Sequence, residues 1–416
     1  MSPTANTFQF IHEFVMYTRH LYLNKISPFV NKPVIKVITG MRRVGKSYFI
    51  RQIIDKIKAQ HIDEKQIIYI NKELLEYDFI KTYQDLHQYV ANKFLQVAGQ
   101  KYLFIDEVQE ILEWEKAIAS LFAKEDVDIY ITGSNAHLFS SELATLISGR
   151  YIEFPIYSLS FEEFLQFRGE NKESDDKEFL KYLKFGGFPA IHHFDLNEEL
   201  IYQYINSLYN TIVLKDIIKR NNVRNVQLLE NIIQYAFDNI GNIFSARKVS
   251  DFLKSQKLQV GIETVQNYLS YLLLAFMLYK VPRYDIKGKR ILEIHDKYFL
   301  GNIGLRHALL GYREGDISGI LENLVFLELK RRGYKVFIGK LNDKEVDFIA
   351  EKENKKIYLQ VTYLLSTREV VEREFSVLQS IPDNYPKYVI SMDTAFGEDF
   401  EGIKRLNIID FLLGRE

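Results

Sequence analysis

Residues 34–47 read VIKVITGMRRVGKS: a short apolar run, then Gly40 and Gly45 separated by four residues, then Lys46 and Ser47. No other stretch restricts the fold as much. Gly40, Met41, Arg42, Arg43, Val44, Gly45, Lys46 and Ser47 satisfy G-x-x-x-x-G-K-[ST], with a strand-forming run before and the helix-forming SYFIRQIIDKI after. The glycines let the backbone turn so that successive N–H groups face a phosphate. The helix that follows adds the positive end of its dipole. Lys46 then reaches the β- and γ-phosphates of a nucleotide and the Ser47 hydroxyl holds Mg2+. Arg42 and Arg43 lie inside the loop and are further candidates for phosphate contact.

Apolar runs like VIKVIT recur at 66–71, 101–106, 127–133 and 150–156, with helical patterns between them. Strands alternating with helices predict an α/β fold with a doubly wound parallel sheet. Such sheets bind ligands beyond the carboxyl ends of their strands. At one such end, YLFIDEVQE (102–110) delivers Asp106 to a magnesium site and places Glu107 to polarise an attacking water. A full strand, 66–71, separates the two motifs, as in P-loop proteins that carry a separate catalytic Glu. At the next strand end, ITGSN puts Ser134 and Asn135 beside Asp106, either as a γ-phosphate sensor or as an ordinary cap for the helical AHLFSSEL. Arg150 opens the fifth strand, either as a surface Arg or as a cationic finger reaching a neighbouring subunit's phosphate.

Composition excludes more than it selects. The 54 Lys and Arg balance 55 Asp and Glu, so any basic surface must be local. With no cysteine, disulfides, thiolate zinc sites and a Cys nucleophile are ruled out. The start MSPTANTFQFIHEF does not read as a signal peptide, and YLLLAFMLY (271–279) is too short to span a bilayer. The expectation is a cytoplasmic chain that avoids membranes. At 416 residues it should hold more than one domain.

Beyond 158 the pattern turns helical, with RGENKESDDKEF (168–179) reading as a solvated loop and GGFP (186–189) as a helix stop. Helical stretches at 226–239, 246–255 and 262–277, followed by the hairpin VPRYDIKGKRILEIH, suggest a winged helix. Arg283, Lys287, Lys289 and Arg290 make its wing basic and suited to nonspecific phosphate contact, as do Arg247, Lys248 and Lys254 on the second helix. The third helix offers Thr264, Gln266, Asn267 and Ser270 but no Arg or Lys, which argues against sequence-specific readout. From 317 a helix, three strands, a helix and a strand form an αβββαβ unit. The expected division is a core at 1–157, a helical connector at 158–224, a winged helix at 225–312 and a last domain at 313–416.

GMRRVGKS, FIDEVQE with Trp114 after it, ITGSN, SGRYIEF and GGFP together resemble the prokaryotic AAA-type ATPases that have an AAA_14-type ATPase domain and a DUF4143-type C-terminal region. The resemblance covers nearly the whole chain. It implies ATP and Mg2+ as ligands, and Lys46, Ser47, Asp106 and Glu107 as the ATPase residues. It also implies Ser134 or Asn135 as a sensor, Arg150 as a finger, a homo-oligomer, and a last domain similar to PD-(D/E)xK nucleases. That chemistry needs carboxylates and a Lys. Glu322, Glu345 and Asp347 are present, but Gln360 and Thr362 stand where Glu and Lys are required, so the nuclease-like domain reads as inactive. The leading expectation is an Mg-dependent ATPase acting on DNA or a protein. A nucleotide-gated assembly switch is the second, and an ATP-regulated nuclease the disfavoured third.

Overall fold

The computed structural model describes residues 17–124, 126–136, 147, 149–394 and 400–415. Helix α1 (His20–Ile26) precedes β1 (Ile35–Thr39), α2 (Lys46–Lys58), β2 (Ile67–Asn71), α3 (Tyr83–Phe94), β3 (Lys101–Asp106), α4 (Trp114–Phe122), β4 (Val127–Gly133) and β5 (Tyr151–Pro155). The five strands form one parallel sheet in the order β2-β3-β4-β1-β5. Both faces are covered, which is why the strands read as continuous apolar runs. Val37, Leu103, Ile105 and Ile131 enter one apolar layer, and Ile38, Phe104 and Tyr130 the other. Because β4 lies between β3 and β1, the chain leaves all three strands side by side at the same sheet edge, and the loop at 40–45 opens there.

The helical region holds α5 (Phe161–Arg168), α6 (Asp175–Phe185) and α7 (Glu198–Thr211), which runs on as a π-helix over Ile212–Lys219. It continues with α8 (Val226–Asp238), α9 (Ala246–Ser255) and α10 (Ile262–Leu274), close to the expected positions. Ser160 and Glu163 form a reciprocal capping box that starts α5. Of the stretch 168–179, expected as a solvated loop, residues 169–174 are exposed, but the rest departs from that character. It starts α6 at Asp175, and Glu178 is fully buried with Arg168 bonded to it at 3.0 Å. A charged run looks solvated in sequence until its counter-charge is known. The helix expected after Asn135 falls mostly outside the described residues.

The remaining elements are β6 (Leu278–Asp285), β7 (Arg290–Leu300), α11 (Ile303–Leu310), α12 (Ile317–Arg331), β8 (Lys335–Leu341), β9 (Lys344–Lys352), β10 (Lys355–Val361), α13 (Arg368–Gln379), β11 (Lys387–Ser391), β12 (Lys404–Asn407) and α14 (Ile408–Leu412). They build a seven-stranded sheet in the order β12-β11-β10-β9-β8-β6-β7. The hairpin β6–β7 therefore does not stand free as a wing. Arg283–Asp285 run parallel to Ile338–Lys340, so strands on both sides of the expected 312/313 boundary share one sheet. One apolar cluster joins Phe49 of α2, Phe164 of α5, Ile232 of α8 and Leu324 of α12. Across it Arg331, 1% exposed, donates to the carbonyls of Ser158 at 3.1 Å and Leu159 at 3.2 Å. Among the described residues no helix is long and apolar enough to cross a membrane.

α11 carries a pH-sensitive group. His307 is buried, and burial, helped by Arg306, pushes its imidazole pKa down to about 4, against the opposing pull of Gly311, Leu183 and Asp316. The unfolded chain takes up a proton near the ordinary histidine pKa that the folded chain refuses, so stability is full at neutral pH and is lost as the pH falls. His307→Gln cannot take up that proton. Between pH 7 and pH 5, urea unfolding should show the parent losing about 2 kcal/mol more than His307→Gln.

Candidate functional site

The loop between β1 and α2 has the shape of a phosphate cradle. Gly40 has φ +142°, and a Cβ there would lie 2.1 Å from the Ile156 carbonyl oxygen, so only glycine lets the turn pass. Gly45 and Arg43 also have positive φ. Met41 and Val44 are buried in the core and pin the loop from below, while Arg43 is exposed. Arg19, which sequence reasoning missed, donates to the Val44 carbonyl at 3.0 Å and is held by Glu163 at 2.7 Å. Lys46 folds back over its own loop and donates to the carbonyls of Gly40 at 3.0 Å and Met41 at 3.2 Å.

Asp106 and Glu107 meet this loop from β3. Asp106 is 1% exposed and accepts from the Thr132 hydroxyl and, at 3.3 Å, from the Tyr69 hydroxyl. The same Thr132 oxygen accepts the Glu107 N–H at 3.0 Å, so one side chain of β4 orients both acids. Thr132 and Tyr69 were not singled out from the sequence, because both sit inside strands that read as plain apolar runs. Burial and the nearby Asp106 charge both push the Tyr69 phenol pKa up, which keeps it a hydrogen-bond donor. The Asp106 carboxylate and the Ser47 hydroxyl, in the first turn of α2, are hard oxygen donors of the kind Mg2+ takes. The donor set therefore fits that ion.

Glu107 has φ +55°, a strained backbone of the sort that gathers at functional sites. Its carboxylate lies 3.7 Å from the Lys46 ammonium and accepts from the Ser134 hydroxyl at 3.0 Å and from the Gln109 amide. Burial pushes its pKa up, but Lys46 and Arg42, with these two hydrogen bonds, outweigh burial and hold it below the ordinary carboxylate range. It is ionised at neutral pH and able to accept a proton. Ser134 is thus placed against Glu107, and the hydroxyl on Asp106 belongs to Thr132; Asn135 is buried in the same turn.

Arg42 does not point into the cradle. Its guanidinium is bonded to Asp216 at 2.9 and 3.1 Å and to Glu73 at 3.2 Å. Asp216 comes from the π-helix, and no local sequence signal marks it. Arg150 lies elsewhere. Its carbonyl accepts from Ile35 N–H at 2.8 Å, at the start of β1, whereas the cradle follows the far end of that strand. Arg150 therefore does not join Lys46 in one site within a single chain.

The C-terminal carboxylates do come together, around a residue the sequence did not reveal. Lys297 of β7, 3% exposed, lies 2.8 Å from Glu322, 2.9 Å from Glu345 and 3.9 Å from Asp347. Gln360 accepts the Asp347 N–H at 3.3 Å, and Thr362 is paired through its N–H with the Ile390 carbonyl. Burial and the neighbouring carboxylates drive Asp347 well above the usual carboxylate range, while Lys297 opposes the rise. An ammonium group thus sits among the acids. Among the described residues no group of three or more His, Cys, Asp or Glu is arranged to hold a metal ion. At the hairpin, Lys287, Lys289 and Arg290 are exposed at the tip, whereas Arg283 is half-buried within the sheet. Removing Lys297 should leave its partners uncompensated. Lys297→Met is expected to lose about 3–5 kcal/mol in urea unfolding, and adding Glu322→Gln should recover part of that loss.

The family model of an AAA domain, AAA_14, matches residues 32–165, and that of a domain of unknown function, DUF8612, matches 176–316. The resemblance read from the motifs had implied a DUF4143-type region there instead. An uncharacterized protein of Haemophilus influenzae is 39% identical over 402 residues, spanning 96% of this chain and 99% of that one. The uncharacterized protein MJ1544 of Methanocaldococcus jannaschii is 31% identical over 396 residues, spanning 90% and 85%. Among solved structures, a Thermotoga maritima RuvB mutant is 15% identical, covers 64% of this chain and 90% of its own, and has a TM-score of 0.34. The Aeropyrum pernix Orc1 protein in complex with DNA is 12% identical, covers 70% and 91%, and has a TM-score of 0.29. Likeness at these scores carries no inference about function. The chain belongs to the family of its Haemophilus and Methanocaldococcus relatives, as a P-loop protein with an AAA domain followed by a DUF8612 domain.

Proposed function

We propose that this protein is a Mg2+-dependent ATP hydrolase whose turnover drives conformational change on DNA or a protein partner. The observation that carries the reading is the convergence of Lys46, Ser134 and an ionised, buried Glu107 at the mouth of the glycine cradle. The backbone of 40–47 holds the phosphates and Lys46 swings from its own loop carbonyls to the β- and γ-phosphates. Ser47 and Asp106 would hold Mg2+, which would neutralise phosphate charge. Glu107 takes the proton of the water that attacks the γ-phosphorus, and Ser134, with Asn135 beside it, orients that carboxylate. Arg150, remote from its own cradle, fits a role in the site of a neighbouring copy, which makes the working form a homo-oligomer. Exposed Lys287, Lys289 and Arg290 favour nonspecific contact with a nucleic-acid backbone. Lys297 among the carboxylates supports a C-terminal sheet that binds or assembles and does not cut.

Steady-state ATP hydrolysis tests this. Lys46→Ala should lose nucleotide binding. Glu107→Gln should keep binding and lose turnover by about 100-fold or more. Mixing Arg150→Ala with Glu107→Gln should restore part of the activity if Arg150 acts across subunits, and no recovery at any ratio would refute that role. Tight ATP binding without turnover in the parent would favour the nucleotide-gated switch. Stimulation by single-stranded, duplex or branched DNA would name the partner, and indifference to all three would point to a protein.

A further inference from the structure

We infer that Asp216, supplied by the helical region, is a positioning residue for ATP hydrolysis, so that the site is complete only while the helix 198–219 is docked. The inference rests on the ATPase reading above and adds a residue that no motif marks. Asp216 is 1% exposed and binds Arg42 of the cradle through both carboxylate oxygens, at 2.9 and 3.1 Å. One of those oxygens is also 3.4 Å from the Ser134 hydroxyl, which bonds Glu107 at 3.0 Å. A single side chain therefore touches both the cation of the phosphate loop and the group that orients the base.

The chemistry explains why the arrangement suits catalysis better than it suits mere cohesion. A buried ion pair is a weak source of stability, because two desolvated charges recover little more than they lose, and packed apolar residues would hold the helix at least as well. The π-helix already has such residues in Ile212, Val213 and Ile217. What the pair adds is direction. A guanidinium gripped bidentately has little rotational freedom, and the carboxylate that grips it is fixed with it. A carboxylate fixed there steadies the Ser134 hydroxyl in turn, and with it the Glu107 carboxylate, in the orientation that taking a proton from water requires. The π-helical winding is itself a form that recurs at functional sites. Arg220, one turn on, reaches Asp216 at 3.7 Å and Glu110 at 3.4 Å, and ties the same helix to the segment after Glu107. Hydrolysis then reports on the position of the DUF8612 region, because moving that helix withdraws Asp216 and frees Arg42.

The test uses the full-length chain, with ATP affinity measured by equilibrium binding of a fluorescent ATP analogue and kcat and KM from steady-state hydrolysis. Asp216→Asn keeps the shape and removes the charge. It should lower kcat by about 10- to 100-fold while analogue affinity stays within about threefold, and Asp216→Glu should recover part of kcat. Because Asp216 and Arg42 are fixed as one pair, the double variant Asp216→Asn/Arg42→Lys should lose no more kcat than the worse single variant. Unchanged kcat in Asp216→Asn, or multiplicative losses in the double variant, would overturn the assignment. So would a lowered unfolding temperature with the kinetic constants intact, which is what a purely structural role gives. If the parent binds no ATP, or Lys46→Ala binds it equally well, the ATPase reading falls and takes this inference with it. If the parent turns over and the Asp216 variants match it, the inference alone falls.

Discussion

The phosphate loop carries cations that have to be neutralised before any phosphate arrives, and much of the molecule is arranged around that requirement. An ion left unpaired in the interior costs several kcal/mol, so each buried cation of the loop needs an anion within reach. Lys46 is met by Glu107, and Arg42 by Asp216 and Glu73. These anions come from the ends of β2 and β3 and from a helix far along the chain. The strand order that sets β3 beside β4 and β4 beside β1, and the docking of 198–219 over the loop, satisfy one electrostatic condition together. A bound nucleotide brings its own negative charge into this set, so it competes with the carboxylates for the same cations. The ion pairs around the loop are thereby made sensitive to nucleotide.

What could be read from the sequence was what is written locally. The glycine spacing of 40–45, the β-branched runs that became β1 to β5, and the acids at the end of β3 each depend on neighbours within a few residues, and each was found close to its expected place. Capping obeyed the same logic at Ser160. The features that could not be read depend on partners distant in sequence. Asp216 and Lys297 look like ordinary charges on a helix and a strand until the fold supplies Arg42 and the three carboxylates. Thr132 and Tyr69 passed as apolar-strand residues, because nothing local shows that their hydroxyls face Asp106. The edge strand β12 escaped notice because Lys404–Asn407 is short and polar, a pattern shared with loops.

The acids of the C-terminal sheet have a similar physical answer. Gln360 and Thr362 bring no charge of their own, but Glu322, Glu345 and the buried Asp347 converge, and carboxylates so close repel one another. Lys297 relieves that repulsion from β7, a strand of the hairpin that the sequence had assigned to the preceding domain. The union of the hairpin with β8 in one sheet is thus more than a matter of topology. It brings the balancing charge to the acids, and the two expected domains are held to each other by that charge as well as by backbone pairing.

This continuity bears on how a nucleotide-dependent change would travel. Met41 and Val44 of the loop, Ile212 and Ile217 of the π-helix, and Leu324 of α12 lie in one apolar cluster. Arg331 fastens α12 to the chain just after β5, and Arg19 fastens the loop to α5 through Glu163. Close-packed interiors do not deform continuously; they shift between discrete packings. A helix that lost Asp216's hold on Arg42 would have to move its apolar face within this cluster, and the elements sharing that face would repack with it. Coupling between the phosphate loop and the seven-stranded sheet therefore needs no dedicated pathway, because the same packing that stabilises both leaves neither free to move alone.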